Sequence, residues 1–587
     1  MEPATYKAFI PPKFSPTEPT KKVMPGSSMD KIFDPSIILP GNPFINPIKD
    51  PTNIVSIQLG QLETETGIAT GLPIQCKQCS GVLSQVSKPF IIKTENETIW
   101  TCEYCSTENK IQIEDEEPLN RKIVTYIVGK ELKKEINKNE EEVKGVKQDE
   151  SDISVIFCID ISGSMDTAKY VKEGKAMKYA KNKNYPSRLE CVKVAIDSQI
   201  QQMMKESPNR KVGFVFFEDI VTVYGDCTHP PKIYKENMLF NFEGLLESIG
   251  AQSSMYFSLP VSTSADQLLQ ALGKVMTGGS TALGPGLVGA LGLALQGKVG
   301  SQIIVCTDGL ANKGLGSVDS SNNEMLNQST EFYNKVGKIA KDRGIQISII
   351  TLVEAECKLG MLSPIADLTG GSILRVNPMN LSNDFANLIA EKIVATKVRV
   401  EVRLHKALKF FREDEKNYVN GNTNIIQREI GNVTRNSIMT FEYGIKSAQE
   451  LQLVGNVNLN AMKFIPLQSV IYYENLREMK CIRLITENFE VTHEVEEVKK
   501  ERKANVLASH AMQITTNLAR KGKYKEAEAA ANEMMEDLSR EKPDAQIQRN
   551  IEPVFAAIKF QNTFSDKEPA TDKLISAMNQ ANFYFKK

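Results

Sequence analysis

The sequence predicts a multidomain chain of α/β plus β class. A doubly wound, Rossmann-like α/β unit is set between a small four-cysteine metal ribbon and an antiparallel β-sandwich, with helices at the C-terminal end. Three observations carry this prediction. Apolar runs of strand length alternate with helical stretches from about residue 152 to 396. Two Cys-x-x-Cys pairs stand ahead of that region. Behind it the texture turns to short alternating strands and then to Ala- and Glu-rich helix. At 587 residues the chain exceeds what one core serves, and roughly two to four domains are expected.

Residues 1–70 are rich in Pro, Asn, Ser and Thr, and the Pro spacing forbids long helices. They read as an extended arm with a short strand near Ile54 to Leu59, or as a disordered tail. Residues 71–118 hold Cys76, Cys79, Cys102 and Cys105. Each pair can form a tight knuckle, and a hairpin can join the two knuckles. Four thiolates then close a tetrahedral site, which suits structural zinc because no coordination position stays open. The 22-residue gap between the pairs slightly exceeds the usual interval of about 15–20. A cross-brace RING domain needs four more ligands, and no His or Cys nearby supplies them. The charged run over 131–152 reads as a solvated linker.

In the α/β unit, residues 152–396, the runs Ile153–Ile159, Val212–Phe217, Ile303–Thr307 and Ile345–Leu352 read as strands. Leu189, Val192, Ile196, Ile200 and Met203 share one helical face, as do Leu287, Ala290, Leu291 and Ala294. Such alternation argues for a mostly parallel sheet covered on both faces. Ligands of these folds bind at the carboxyl edge of the strands. Five oxygen donors fall there: Asp160, Ser162 and Ser164 after the first strand, Thr281 in Gly278-Gly279-Ser280-Thr281, and Asp308 after the third. Hydroxyls with carboxylates, and positions left for water or a ligand, suit Mg²⁺. The bland alternative is that Asp160 and the serines merely cap a loop. It does not explain Thr281 and Asp308 recurring in later strand–helix units. The glycine run lacks the Gly-Lys-Ser/Thr ending of a phosphate loop, so nucleotide binding is not expected. Lys169, Lys172, Lys175, Lys178, Lys181 and Lys183 follow the site, as a basic rim for acidic partners or as a solvated loop.

Residues 397–492 predict the β-sandwich. Val398 to Leu404 alternates as a half-buried strand, and further strands are expected near Asn424–Glu429, Ile438–Tyr443, Leu451–Leu459 and Val470–Tyr473. Residues 493–587 predict a helical domain broken at Gly522 and punctuated by Pro543, Pro553 and Pro569.

Composition excludes several classes. A net charge of −1 gives no case for nucleic-acid binding. No apolar run approaches the roughly 20 residues of a membrane span. The start, Met1-Glu2-Pro3-Ala4-Thr5, is not a secretory signal. A cytoplasmic location follows, with membrane association at most peripheral. The six cysteines outside the pairs read as buried hydrophobes. The four histidines are isolated in sequence and build no hydrolytic constellation, so an enzyme is not expected.

The five donors resemble the metal-ion-dependent adhesion site (MIDAS) of von Willebrand factor A (vWA) domains, Asp-x-Ser-x-Ser followed by a Thr and an Asp. That resemblance implies a metal that keeps one position for a partner protein's carboxylate. The ribbon segment, Leu72-Pro73-Ile74-Gln75-Cys76-Lys77-Gln78-Cys79 with Trp100-Thr101-Cys102-Glu103-Tyr104-Cys105 and Asn109, is similar to the zinc ribbon of the inner-shell subunits of the COPII vesicle coat. In that family a vWA-type trunk, a β-sandwich and a helical domain follow in the same order. It implies coat subunits, a small GTPase or cargo receptors as partners, on ER-derived membranes. Two features depart from the family. No gelsolin-like domain fits before Lys587, so activation of the coat GTPase is not expected. The coat subunits have generally lost the full metal site, whereas all five positions are filled here. Cytosolic vWA proteins of the ubiquitin-ligase type are a competing resemblance, which the four-Cys ribbon fits badly.

Overall fold

The computed structural model describes residues 53–88, 90–92, 97–113, 120–128, 153–168, 178–182, 184–319, 322–352, 357–455, 457, 464–490, 504–540, 545–564 and 572–585. The charged run 131–152 and most of the Lys-rich insert lie outside these residues, as does the arm before Asn53.

The chain opens with β1 (Asn53–Gln58) and β2 (Ile68–Thr70). A three-stranded ribbon sheet follows, of β3 (Phe90–Ile92), β4 (Glu97–Thr101) and β5 (Glu108–Ile111), and then β6 (Ile123–Val128). The α/β unit supplies β7 (Ser154–Asp160), α1 (Arg188–Glu206), β8 (Lys211–Phe217), β9 (Val221–Gly225) and β10 (Lys232–Tyr234). Then come α2 (Phe242–Tyr256), α3 (Val261–Lys274), α4 (Leu283–Ala294), β11 (Gln302–Thr307) and α5 (Asn323–Asp342). It closes with β12 (Gln346–Leu352), α6 (Leu359–Thr369), β13 (Ile373–Val376) and α7 (Leu381–Ala390).

Its sheet runs β10-β9-β8-β7-β11-β12-β13. The five strands from β8 to β13 pair in parallel, and β9 and β10 form an antiparallel edge. The chain winds to one side after β7 and to the other from β11. The crevice between these two strands is therefore the switch point, where such sheets present ligand sites. The sheet is buried on both faces, as its unbroken apolar strands require. Helix α1 starts on a capping box: Ser187 Oγ accepts from Glu190 N at 3.2 Å, and Glu190 accepts from Ser187 N at 2.8 Å. Its stripe Leu189, Val192, Ile196, Ile200 and Met203 is buried against the sheet. Helix α4 has no polar face; it is buried along its whole length.

The sandwich is assembled from distant segments. Its larger sheet contains β14 (Ile393–Leu404), β16 (Tyr418–Val419), β17 (Asn422–Thr434), β19 (Phe464–Asn475) and β20 (Lys480–Glu490), together with β2 and β6. The smaller sheet is β1, β18 (Ile438–Ile445) and β15 (Leu408–Phe411). Three strands therefore come from ahead of the α/β unit, outside the 397–492 segment. The fully buried Arg483 fastens this crossing: it donates to Gln61 O at 2.7 Å, to Thr64 O, and to Thr125 Oγ1 at 3.1 Å. A polar side chain so placed satisfies carbonyls that the strand ends leave open.

Two expectations are corrected. The strand expected over Leu451–Leu459 is instead a short helix at its start, α8 (Ala448–Leu453), nucleated by the Ser447/Glu450 capping box. Among the helices α9 (Ala504–Arg520), α10 (Tyr524–Arg540), α11 (Ala545–Phe564) and α12 (Asp572–Phe585), Pro553 lies within α11 and does not end it. The break at Gly522, between α9 and α10, is present, with φ +74°. Helix α9 rests on β18, where Gln513 accepts from Thr440 N and donates to Ile438 O at 3.1 and 3.0 Å. Helix α12 reaches the α/β unit: the Asp572 carboxylate accepts from Cys357 N and Leu359 N, both at 2.6 Å, and caps α6.

Candidate functional site: a thiol centre and an oxygen centre

The ribbon brings Cys76, Cys79, Cys102 and Cys105 together, with their sulfurs all within 4.8 Å of one another. Two pairs are closer, Cys76 to Cys105 at 3.6 Å and Cys79 to Cys102 at 3.5 Å. A tetrahedron with Zn–S bonds of about 2.3 Å has edges of about 3.8 Å, close to these two spacings, so the four thiols fit a metal such as zinc. Each Cys-x-x-Cys folds as a knuckle: Ser80 N donates to Cys76 O at 2.9 Å and Ser106 N to Cys102 O at 2.8 Å. Asn109 ties the knuckles to each other. It accepts from Lys77 N at 2.9 Å, and its amide donates to Thr107 O at 2.9 Å and to Cys76 Sγ at 3.5 Å. Trp100 is wholly buried beside them, and its indole N–H donates to the Glu103 carboxylate at 3.1 Å. Thiols packed so closely oppose one another. The hydrogen bond with Cys105 pushes Cys102 far up, and the same bond pulls Cys105 far down.

The ribbon lies on the sandwich. Val82 exchanges two hydrogen bonds with Gln468, its N–H donating at 2.7 Å and its carbonyl accepting at 2.8 Å. Arg403 Nε donates to Cys79 O at 2.9 Å, and its Nη2 pairs with Glu401. The alternation of Val398 to Leu404 leads to an expectation of one solvated face. Arg403 and Glu401 are instead buried, because the knuckle covers them.

The oxygen centre sits at the crevice between β7 and β11. Asp160 ends β7, and Asp308 directly follows Thr307, the last residue of β11. Ser162 and Ser164 hydroxyls are 3.1 Å apart, and Ser164 Oγ donates to Asp308 Oδ1 at 2.6 Å. Gly309 gives a further gauge of convergence. A Cβ built on it would lie 3.1 Å from Thr281 Oγ1, 3.5 Å from Ser164 Oγ and 3.8 Å from Asp160 Oδ2. Asp160, Ser164 and Thr281 therefore face one point that a side chain on Gly309 would crowd, and Ser162 and Asp308 join this cluster through Ser164. The two oxygen–oxygen spacings, 3.1 Å from Ser162 to Ser164 and 2.6 Å from Ser164 to Asp308, lie near the edge of about 3 Å expected for an octahedral Mg²⁺ shell, and the donors are all hard oxygens.

The loops are held from behind. Ser162 N donates to Asp160 Oδ1 at 2.8 Å, and Thr307 Oγ1 to Asp160 Oδ2 at 2.6 Å. Thr281 N donates to Asn312 Oδ1 at 2.8 Å, and Gly163 N to Gly279 O at 3.2 Å. Asp160, Ser162, Thr281 and Asp308 are buried, whereas Ser164 is exposed, so the site opens on the Ser164 side. Burial pushes the Asp160 carboxyl up to about 6, against the hydroxyl and backbone donors that hold it down. Residues that the five-donor pattern does not include complete the site: Thr307 and Asn312 as supports, and Arg188, whose Nη1 donates to Asp308 Oδ2 at 2.7 Å. The capping box at Ser187 was the sequence signal for Arg188, since it places that residue at the first position of α1. In the Lys-rich insert, Lys178 and Tyr179 both bond Asp197, at 2.5 and 2.8 Å, so this part of it is folded back on α1.

No family model matches the chain. It is 28% identical over 489 residues to Circularly permutated Ras protein 1 of Dictyostelium discoideum, covering 81% of this chain and 55% of that protein. The chain thus spans about half the length of the curated relative that it matches. Among solved structures, the human COPII-coat protein Sec24c is similar with a TM-score of 0.52 at 12% identity, over 90% of this chain and 72% of that one. A von Willebrand factor type A structure from Catenulispora acidiphila gives a TM-score of 0.38 at 14% identity, over 73% of this chain and 88% of that one. At these identities the likeness is one of fold. No helix among the described residues is long and apolar enough to cross a membrane. The chain has a multidomain fold that joins a zinc ribbon to a vWA-type α/β unit, a sandwich and terminal helices, and this fold is similar to that of Sec24c.

Proposed function

We propose that this protein is a non-enzymatic, cytoplasmic protein-binding scaffold related to the inner subunits of the COPII coat. Its vWA unit captures a partner through Mg²⁺ held by Asp160, Ser162, Ser164, Thr281 and Asp308. The observation that carries this reading is the convergence of five hard oxygens at the switch point with one side open. A partner's Asp or Glu carboxylate completes the metal shell from that side. The zinc in Cys76, Cys79, Cys102 and Cys105 is structural; the closed thiol set leaves no position for a ligand.

The test is affinity capture from cell extract by the full chain, with Mg²⁺ present and after dialysis that removes Mg²⁺ while Zn²⁺ is kept. Partners that depend on the site leave with Mg²⁺ and return when it is restored. An unchanged set contradicts the reading.

A second reading has its own support. The match to a Dictyostelium protein named for Ras, together with the Sec24c-like fold, favours a small GTPase or coat subunits as partners on ER-derived membranes. Membrane association is then peripheral. Co-sedimentation with liposomes carrying a GTP-loaded coat GTPase tests it, and a chain left in the supernatant counts against it.

A further inference from the structure

Arg188 stands in the oxygen site without belonging to the five-donor pattern. Its guanidinium meets Asp308 Oδ2 at 2.7 Å, and the two side chains are 14% and 0% exposed. The other oxygen of that carboxylate accepts from Ser164 Oγ at 2.6 Å. Asp308 is therefore shared between the hydroxyl cluster and the arginine. The backbone fixes this approach. Arg188 is the first residue of a helix started by a capping box, and its N–H donates to Thr167 O at 3.0 Å, on the loop that follows Ser164. A buried, backbone-fixed pair differs from a mobile surface pair and is costly to leave half-made.

The charge balance gives the arginine a role. Asp160 and Asp308 bring two negative charges, and Arg188 cancels one of them. A divalent cation among the hydroxyls would sit on one side of the Asp308 carboxylate with the guanidinium on the other. Like charges that close oppose each other strongly where water is excluded. Two aspartates, one arginine and the metal leave one positive charge, which an incoming carboxylate neutralises.

We propose that Arg188 is a resident counter-cation that weakens divalent-metal binding by the free protein, so that metal and partner carboxylate bind cooperatively. This rests on the Mg²⁺ reading above. The reciprocal coupling follows from linkage: whatever the anion adds to the metal's affinity, the metal adds to the anion's.

The test uses the zinc-loaded full chain and Mn²⁺ as probe, with free Mn²⁺ read by electron paramagnetic resonance. Wild type is compared with Arg188→Gln, Arg188→Met and Arg188→Lys, and with Asp160→Ala as baseline. The two neutral variants keep a long side-chain stem, and either one decides the matter if the other fails to fold. They are expected to bind Mn²⁺ at least about tenfold tighter than wild type, with Arg188→Lys close to wild type. Acetate is expected to tighten Mn²⁺ binding by wild type more than by the neutral variants. Neutral variants that bind Mn²⁺ no tighter than wild type overturn the counter-cation and leave the metal site standing. Absence of Mn²⁺ binding by every variant overturns both.

Discussion

The thiol centre and the oxygen centre differ in who controls the last coordination position. In the ribbon, four sulfurs from two backbone knuckles enclose the centre, and Asn109, Trp100 and Glu103 fix them from outside. Nothing remains for a partner to add. In the vWA unit, three hydroxyls and two carboxylates come from three separate loops, and one side is open. A cation already stands there as Arg188. A closed thiol set suits a metal that is part of folding; under the function proposed above, the open oxygen set makes metal conditional on a ligand.

The largest expected effect breaks the ribbon. Cys102→Ser removes one of four thiolates and with it a binding free energy that is on the order of 10 kcal/mol in small zinc modules. Zinc content falls to background, and proteolysis cuts within residues 72–113 while the vWA unit stays intact. Retained zinc contradicts a four-thiolate centre. Next comes Arg403→Met, which keeps the ribbon's ligands but strips its support. Glu401 and Cys79 O lose a buried partner, and the expected cost is about 3–5 kcal/mol. Denaturant unfolding measures it, and a cost below about 1 kcal/mol shows that the ribbon does not depend on this contact.

A pH series sharpens the same comparison at the oxygen centre. The Asp160 carboxyl is held up at about 6 by burial, above the ordinary 3.8. The folded chain therefore binds the extra proton between these values, and stability drawn from the neutral form is lost as pH rises from 3.8 through 6. The loss is about 3 kcal/mol when complete. Mg²⁺ offsets it by binding the carboxylate, so the midpoint of thermal unfolding rises with Mg²⁺ at pH 7.5 and not at pH 4.5. Equal shifts at both pH values place the metal elsewhere. The smallest effect belongs to Trp100→Phe, which removes the hydrogen bond to Glu103 at a cost of about 1 kcal/mol and leaves zinc bound. Zinc release by that variant shows that the indole positions the knuckle and does not merely fill space.

Local signals were legible in the sequence and long-range ones were not. The cysteine pairs, the apolar strands and the donors after them are short-range patterns, and the fold assembles them as the spacing implies. The β-sandwich was recognised only in part. Strands β1 and β6 pair with β18 and β20 across several hundred residues, and β2 joins the sheet through β6; no periodicity within a strand encodes its partner. Arg403 reads as solvent-facing on alternation alone; the ribbon that buries it lies far away in sequence, as residues 61–64 do from the Arg483 that they cover. Leu451–Leu459 carried strand-like composition, but Ser447 and Glu450 ahead of it start a helix. Arg188 was hidden for a related reason. Its role depends on Asp308, 120 residues later, and only the capping box marked its place.

The measurement that bears most directly on the central claim is capture by Asp160→Ala alongside wild type in Mg²⁺, read by quantitative mass spectrometry. Asp160→Ala removes one carboxylate at the end of β7 and leaves the ribbon, the sandwich and the terminal helices untouched. The expected outcome is a variant that still unfolds in one cooperative transition, with undiminished zinc, and that loses the same proteins that wild type loses when Mg²⁺ is withdrawn. An intact-fold Asp160→Ala protein that captures the full wild-type set contradicts it.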